Sequence, residues 1–255
     1  MTAFRTIVCA VDGSAGAGEA ARQAAVLARR EAELLLVGVV DDNGDEVRRA
    51  LEEAADFAAE RGVAATSRLV GGGNRSRGLL DASAGAELLV VGGHADSGPG
   101  GVLLGSTASS AVHTGPLPVL VARPAPEERE FPAAILVATD GSPDSERGVE
   151  FAGRIAAAQG SAVTLVHVSD GQSHPQRVLA RGVALLREQA GVEAATIEEF
   201  GSPAHRLTEA ARRERASLLI VGSRGLGRGR TLGSVGERVA HEAPCSVLVV
   251  RQSGA

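Results

Sequence analysis

Two tandem α/β domains, each a doubly wound five-stranded parallel sheet, are the fold this sequence predicts, and three observations carry the prediction. The chain repeats itself. TIVCAVDGS at 6 to 14 answers AILVATDGS at 134 to 142, LLVVGG at 88 to 93 answers LLIVGS at 218 to 223, and HTGPLPVLVAR at 113 to 123 answers HEAPCSVLVVR at 241 to 251. The first and last pairs are offset by 128 residues and the middle pair by 130, which duplication explains most simply. Within each copy, short β-branched or leucine-rich runs alternate with alanine-rich amphipathic segments. Runs such as Leu34-Leu35-Leu36-Val37 are apolar at successive positions, as in parallel strands covered by helices on both faces. Between the copies, PAPEEREFP at 124 to 132 is rich in proline and charge without apolar periodicity, and reads as a linker between domains at 1–123 and 133–255.

Taken in order, the first copy predicts strands near 4–11, 34–40, 65–70, 87–92 and 117–122, with helices near 16–31, 45–61, 75–84 and 105–114. The second predicts strands near 133–139, 161–168, 194–200, 217–222 and 245–250. Pro118 falls inside the fifth strand of the first copy, where a missing backbone donor argues for an edge. Arg123 and Arg251 end the last strands and read as a solvated edge.

Composition excludes several functions. All 26 basic residues among the 255 are arginine, and GC-rich coding is explanation enough for that bias. Without lysine there is no Walker-type phosphate loop, pyridoxal-phosphate Schiff base or lysine nucleophile. With five aromatics, all Phe, the core must be built from Ala, Val, Leu and Ile. The net charge of -5 leaves neither half basic, which argues against nucleic acid. Cys9 and Cys245 lie far apart in strand patterns and read as reduced core thiols. The N-terminal MTAFRTIVCAVDGS runs into a strand pattern with no signal sequence, and no apolar run is long enough to span a bilayer, so a soluble, cytoplasmic protein without membrane contact is expected.

In doubly wound sheets, ligands sit beyond the carboxyl ends of the strands where the strand order reverses. After the first strands come Asp12-Gly13-Ser14 and Asp140-Gly141-Ser142-Pro143-Asp144. Ser142 can cap the next helix, Pro143 suits its first position and Asp144 favours its positive end. Asp12 and Asp140 stand outside that account and could face a ribose, a base or a phosphate-bound metal. The loop after the fourth strand of the second copy runs from Gly222 through Gly225, Arg224, Arg228 and Arg230 to Gly233-Ser234. Glycine amides, arginines and a following helix N-terminus suit an anion. The matching stretch from Gly92 to Gly105-Ser106 has no arginine and one aspartate.

The VDGS and TDGS turns, VGSRG, the terminal Gly-Ser and the APCSVLVVR ending together resemble the universal stress protein family, as a tandem pair covering nearly the whole chain. The resemblance implies the adenine nucleotide alpha hydrolase-like strand order 3-2-1-4-5 and, for ATP-binding members, a Gly, two residues, Gly, nine residues, Gly, Ser/Thr pattern. Adenine would lie on backbone after the second strand and phosphates, with Mg2+, on the glycine loop. Carried onto this sequence, the binding residues are Asp12, Val39, Gly92, Gly105 and Ser106, then Asp140, Val168, Gly222, Gly225, Gly233, Ser234 and Val235. The first copy keeps the nine-residue spacing but has Ala95 for the middle glycine, while the second keeps all three glycines with seven residues between the last two. The second is expected to bind adenine nucleotide more tightly. The resemblance also implies an internal pseudo-dimer of the two domains through their fifth strands, and it is compatible with a homodimer.

His113 and His241 occupy matching positions near a helix end, with no catalytic partner suggested by spacing, and His167 is replaced by Gly38 in the first copy. The expected function is an ATP- or adenine-nucleotide-binding regulatory module in stress response, with no catalytic residue and at most slow ATP hydrolysis. The alternatives are a non-nucleotide scaffold of the same family and an adenylating enzyme. The latter would carry Ser-Gly-Gly-x-Asp-Ser after the first strand, a motif this sequence lacks.

Overall fold

The structure, a computed structural model, describes residues 2–29, 32–40, 44–71, 75–93, 105–125, 130–169, 174–224 and 233–251. Its contacts divide into two units, Thr2–Arg123 and Pro124–Ala255. The first contains β1 (Thr6–Val11), α1 (Ala15–Ala28), β2 (Glu33–Val40), α2 (Gly44–Glu60), β3 (Ala65–Gly71), α3 (Arg75–Ala82), β4 (Leu88–Gly92), α4 (Ser106–Thr114) and β5 (Val119–Ala122). The second repeats the plan with β6 (Ala134–Ala138), α5 (Pro143–Gln159), β7 (Ala162–Ser169), α6 (Pro175–Ala190), β8 (Ala194–Phe200), α7 (Pro203–Arg213), β9 (Leu218–Gly222), α8 (Ser234–Glu242) and β10 (Ser246–Val250).

Within the first unit the strands lie in the order β3-β2-β1-β4-β5 and pair in parallel throughout. The second unit has the same order, β8-β7-β6-β9-β10, again parallel. In each, the chain moves outward on one side of the first strand and then crosses to the other, so the reversal lies between β1 and β4, and between β6 and β9. The central strands are apolar on both faces because helices cover both. Leu88 to Val91 and Leu218 to Val221 are all buried. β3 and β8 flank only one neighbour within their units and expose most of their side chains, including Phe200 at 61%. Alanine lets the helices approach the sheet closely: six of the eight buried residues of α1 are alanines, the others being Gln23 and Leu27. Larger side chains such as Ile155 and Leu186 serve in the second unit.

Two local expectations are corrected. Pro118 precedes β5, and its carbonyl accepts the Leu89 N–H at 3.0 Å, so it removes no donor from the strand. Arg123 is only 4% exposed and not at a solvated edge, and its carbonyl accepts a 2.7 Å hydrogen bond from Gln23 Nε2. Cys9 and Cys245 are buried, and neither is in a disulfide. Among the described residues, no helix is long and apolar enough to cross a membrane.

Candidate functional site

The two Asp-Gly-Ser turns are built alike. Gly13 and Gly141 take φ of +84° and +78°, a left-handed conformation that favours glycine. Ser14 and Ser142 then cap α1 and α5, accepting from Ala17 N at 3.2 Å and Ser145 N at 3.3 Å. Asp12 and Asp140, which the capping pattern left unexplained, have a turn function of their own: Oδ1 of each accepts the N–H of the serine two residues on, at 3.0 and 2.9 Å. The Ser14 hydroxyl also donates to Asp12 Oδ1 at 2.6 Å. Among the described residues, Oδ2 of neither aspartate accepts a hydrogen bond.

Gly92 and Gly222, which end β4 and β9, have a packing reason to be glycine. A Cβ on Gly92 would stand 2.5 Å from the Gly16 carbonyl carbon and 2.7 Å from Ala17 N. On Gly222 it would stand 3.1 Å from both Asp144 Cβ and Ser145 N. The helix after the first strand is therefore seated against the end of the fourth. Gly105 and Gly233 are N-caps of α4 and α8 with φ of -56° and -73°, dihedral angles open to any residue, and neither offers a side-chain cap, although a Cβ on Gly233 would stand 3.3 Å from the Ser223 carbonyl oxygen. The first-turn N–H groups that follow have no side-chain acceptor at the cap, which suits them to an anion.

These parts converge on one cavity per unit, over the carboxyl ends of the central strands. The first, about 320 Å³, is lined by Asp12, Val39, Gly92, Gly105 and Ser106, the complete set named for the first copy. The second, about 230 Å³, is lined by Asp140, Val168, Gly222, Gly233, Ser234 and Val235. Gly225 lies outside the described residues, as do Ala95, Arg228 and Arg230. The volumes bracket the lower end of the usual small-molecule range of about 300–1,000 Å³. The walls differ in chemistry. Arg75, at the start of α3, lines the first cavity, whereas Pro203 and Leu207 of α7 line the second. Sequence reasoning missed all three, because the third helix is brought over the second strand only by tertiary packing.

Arg224 lines the second cavity, and it is held from behind. Asp144 is 3% exposed and accepts from Ser223 Oγ at 2.8 Å, Arg224 Nε at 3.2 Å and Arg224 Nη2 at 3.4 Å. The helix-end role expected of Asp144 is thus joined by a tertiary one. The Ser223 carbonyl also accepts the Gly233 N–H at 2.7 Å. Burial, then the nearby Arg224 charge, pull the Arg251 pKa below the ordinary arginine value, and Asp144 opposes them. His167 is buried, with Nδ1 2.8 Å from the Thr139 carbonyl. A carbonyl only accepts, so Nδ1 carries the proton and the ring ties β7 to the end of β6. His113 and His241 sit in the last turns of α4 and α8.

A duplicated doubly wound α/β protein, with a cleft at the strand-order reversal of each half, is the class that this architecture defines. The chain belongs to the universal stress protein family, whose sequence profile matches residues 3–123 and 133–251. A universal stress protein of Mycolicibacterium smegmatis is 36% identical over 196 residues, covering 69% of this chain and 65% of the relative. The chain thus spans about two thirds of that relative's length. A universal stress protein of Thermus aquaticus is 35% identical over 133 residues, which is 46% of this chain and 97% of the relative. In three dimensions, a universal stress protein from Archaeoglobus fulgidus superposes over 98% of both chains with a TM-score of 0.79 at 21% identity, a likeness of fold.

Proposed function

We propose that this chain is an adenine-nucleotide-binding regulatory module of the stress response, with one nucleotide site per domain. The observation that carries the proposal is the convergence in each half of an Asp-Gly-Ser turn, the end of the second strand and an uncapped Gly-Ser helix start on a single cavity. The base would lie by Val39 or Val168, the ribose by Asp12 or Asp140, and the phosphates on the α4 or α8 N-terminus, with Mg2+ accompanying ATP. Glycine at 105 and 233 fits such a ligand, since nothing in the backbone conformation requires it there. The bound nucleotide supplies negative charge that joins the two ends of the cleft, and a partner could read the surface so formed.

The second site is the tighter of the two. Pro203, Leu207, Val166 and Val168 give its β7 side an apolar wall for a base, while Arg224 places a cation at the β9 side. The first cavity is roomier but carries Arg75 in its wall. Acid denaturation of the purified protein followed by mass analysis of released nucleotide, together with calorimetric titration of ATP, tests the reading. Retained or titratable adenine nucleotide supports it. Failure of ATP and adenosine to bind would overturn it and favour the non-nucleotide scaffold.

A further inference from the structure

The two copies differ most sharply at the second residue of the helix that follows the Asp-Gly-Ser turn. In the first domain this position is Gly16, and a Cβ there would stand 2.7 Å from the Gly93 carbonyl oxygen, so helix and strand end meet backbone to backbone. In the second domain it is Asp144, and residue 223, the counterpart of Gly93, is a serine whose hydroxyl donates to that carboxylate at 2.8 Å. The carboxylate also takes Arg224 side-on, through Nε at 3.2 Å and Nη2 at 3.4 Å. A side-on pair fixes the plane of the guanidinium as well as its place. The carboxylate side chain is 4% exposed and the arginine side chain 36%, so the anchor is inside and the anchored group reaches the surface. Ser223 and Arg224 both line the cavity. The Arg251 guanidinium is near enough to feel both charges.

We infer that Asp144 is a positioning residue that aims Arg224 at the phosphate of a ligand in the second cavity, making phosphate recognition there depend on a pair the first domain lacks. The inference rests on the nucleotide reading above. Asp144 itself touches no ligand. It removes the conformational freedom that an exposed arginine would lose on binding.

The test titrates ATP and adenosine into full-length protein carrying Gly105→Val, so that the second site is read alone, with and without Asp144→Asn, Arg224→Gln and both together. Asp144→Asn is expected to weaken ATP about tenfold, or ~1.4 kcal/mol, and leave adenosine unchanged. Arg224→Gln should do the same, and the double variant should lose little more than either single. Equal weakening of ATP and adenosine would make Asp144 a purely structural residue and overturn the inference, as would unchanged or tighter ATP binding in Asp144→Asn. Absence of both ligands from the parent protein would overturn the nucleotide reading, and this inference with it. Arg224→Gln alters a partly exposed side chain, so it keeps the test decisive if Asp144→Asn fails to fold.

Discussion

Gly92→Ala and Gly222→Ala exchange the same motif residue in the two domains, yet the structure assigns them different costs. On Gly92 the new methyl would meet three backbone atoms of α1, at 2.5, 2.6 and 2.7 Å. None of these can rotate away, and an ordinary carbon contact begins near ~3.5 Å, so α1 must retreat by almost an ångström. That helix buries six alanines, and its retreat opens the interface along its whole length. Overpacking typically costs about 1–3 kcal/mol, and a clash with fixed backbone belongs at the upper end, ~3 kcal/mol. On Gly222 the nearest atoms stand at 3.1, 3.1 and 3.2 Å, and a few tenths of an ångström suffice, at ~1 kcal/mol or less. For a domain of this size the two changes correspond to midpoint losses of roughly 12 °C and 4 °C. Differential scanning calorimetry and urea unfolding of the full chain measure both. Gly222→Ala costing as much as Gly92→Ala, or a neutral Gly92→Ala, would refute the steric reasoning and return the first glycine to the ligand.

The last glycine should behave in the opposite way. Gly233→Val and Gly105→Val occupy φ and ψ that valine can adopt, so each should remain folded, Gly233→Val at a cost of ~1 kcal/mol for the 3.3 Å approach of its Cβ to the Ser223 carbonyl oxygen, and each should lose nucleotide affinity, Gly233→Val more than Gly105→Val in calorimetric titration. A larger loss from Gly105→Val would reverse the ranking of the sites. Ser14→Ala should cost about 1 kcal/mol of stability in a urea melt through loss of the α1 cap. Ser142→Ala should cost somewhat more, because Ser142 is buried where Ser14 is half-exposed, and the N–H it caps and the Arg224 carbonyl it reaches at 3.4 Å would lose their partner away from water. Burial, reinforced by the Asp12 charge, pushes the Cys9 thiol far above the ordinary thiol pKa. With Cys245 also buried, native protein at pH 8 should not react with a chromogenic disulfide reagent and should release both thiols once unfolded.

The alternation of elements was legible because it is written in local composition. Unbroken apolar runs such as Leu88 to Val91 fit only a strand covered on both faces, and β8 occupies the residues expected, 194–200. Strand order was not visible in periodicity and came from resemblance. The site residues were found because they cluster in two short motifs. Their supports were not, because those cross long stretches of chain: Asp144 reaches Ser223 over 79 residues, and Leu207 reaches the second cavity only because α7 packs over β7. Gly92 shows the converse limit. A glycine in a glycine-rich loop reads as an anion contact, and the helix lying against it cannot be seen from the loop alone. Arg123 misled for a related reason: charge at a strand end predicts solvent, whereas this one is buried.

The hydrogen bond from Gly233 to the Ser223 carbonyl brings the chain back to where β9 ended before α8 begins. Whatever the length of the stretch between those two residues, its first and last points coincide, and lengthening a closed loop costs only about 0.6 kcal/mol per doubling. A segment joined this way can gain or lose residues without displacing the helix behind it. The missing two residues of the second copy therefore need not disturb the wall on which Gly233 and Ser234 stand. In the second copy, the two ends of that span are thus tied to each other as well as to the strand and helix they belong to, and a change of length between them after duplication would leave both anchors in place.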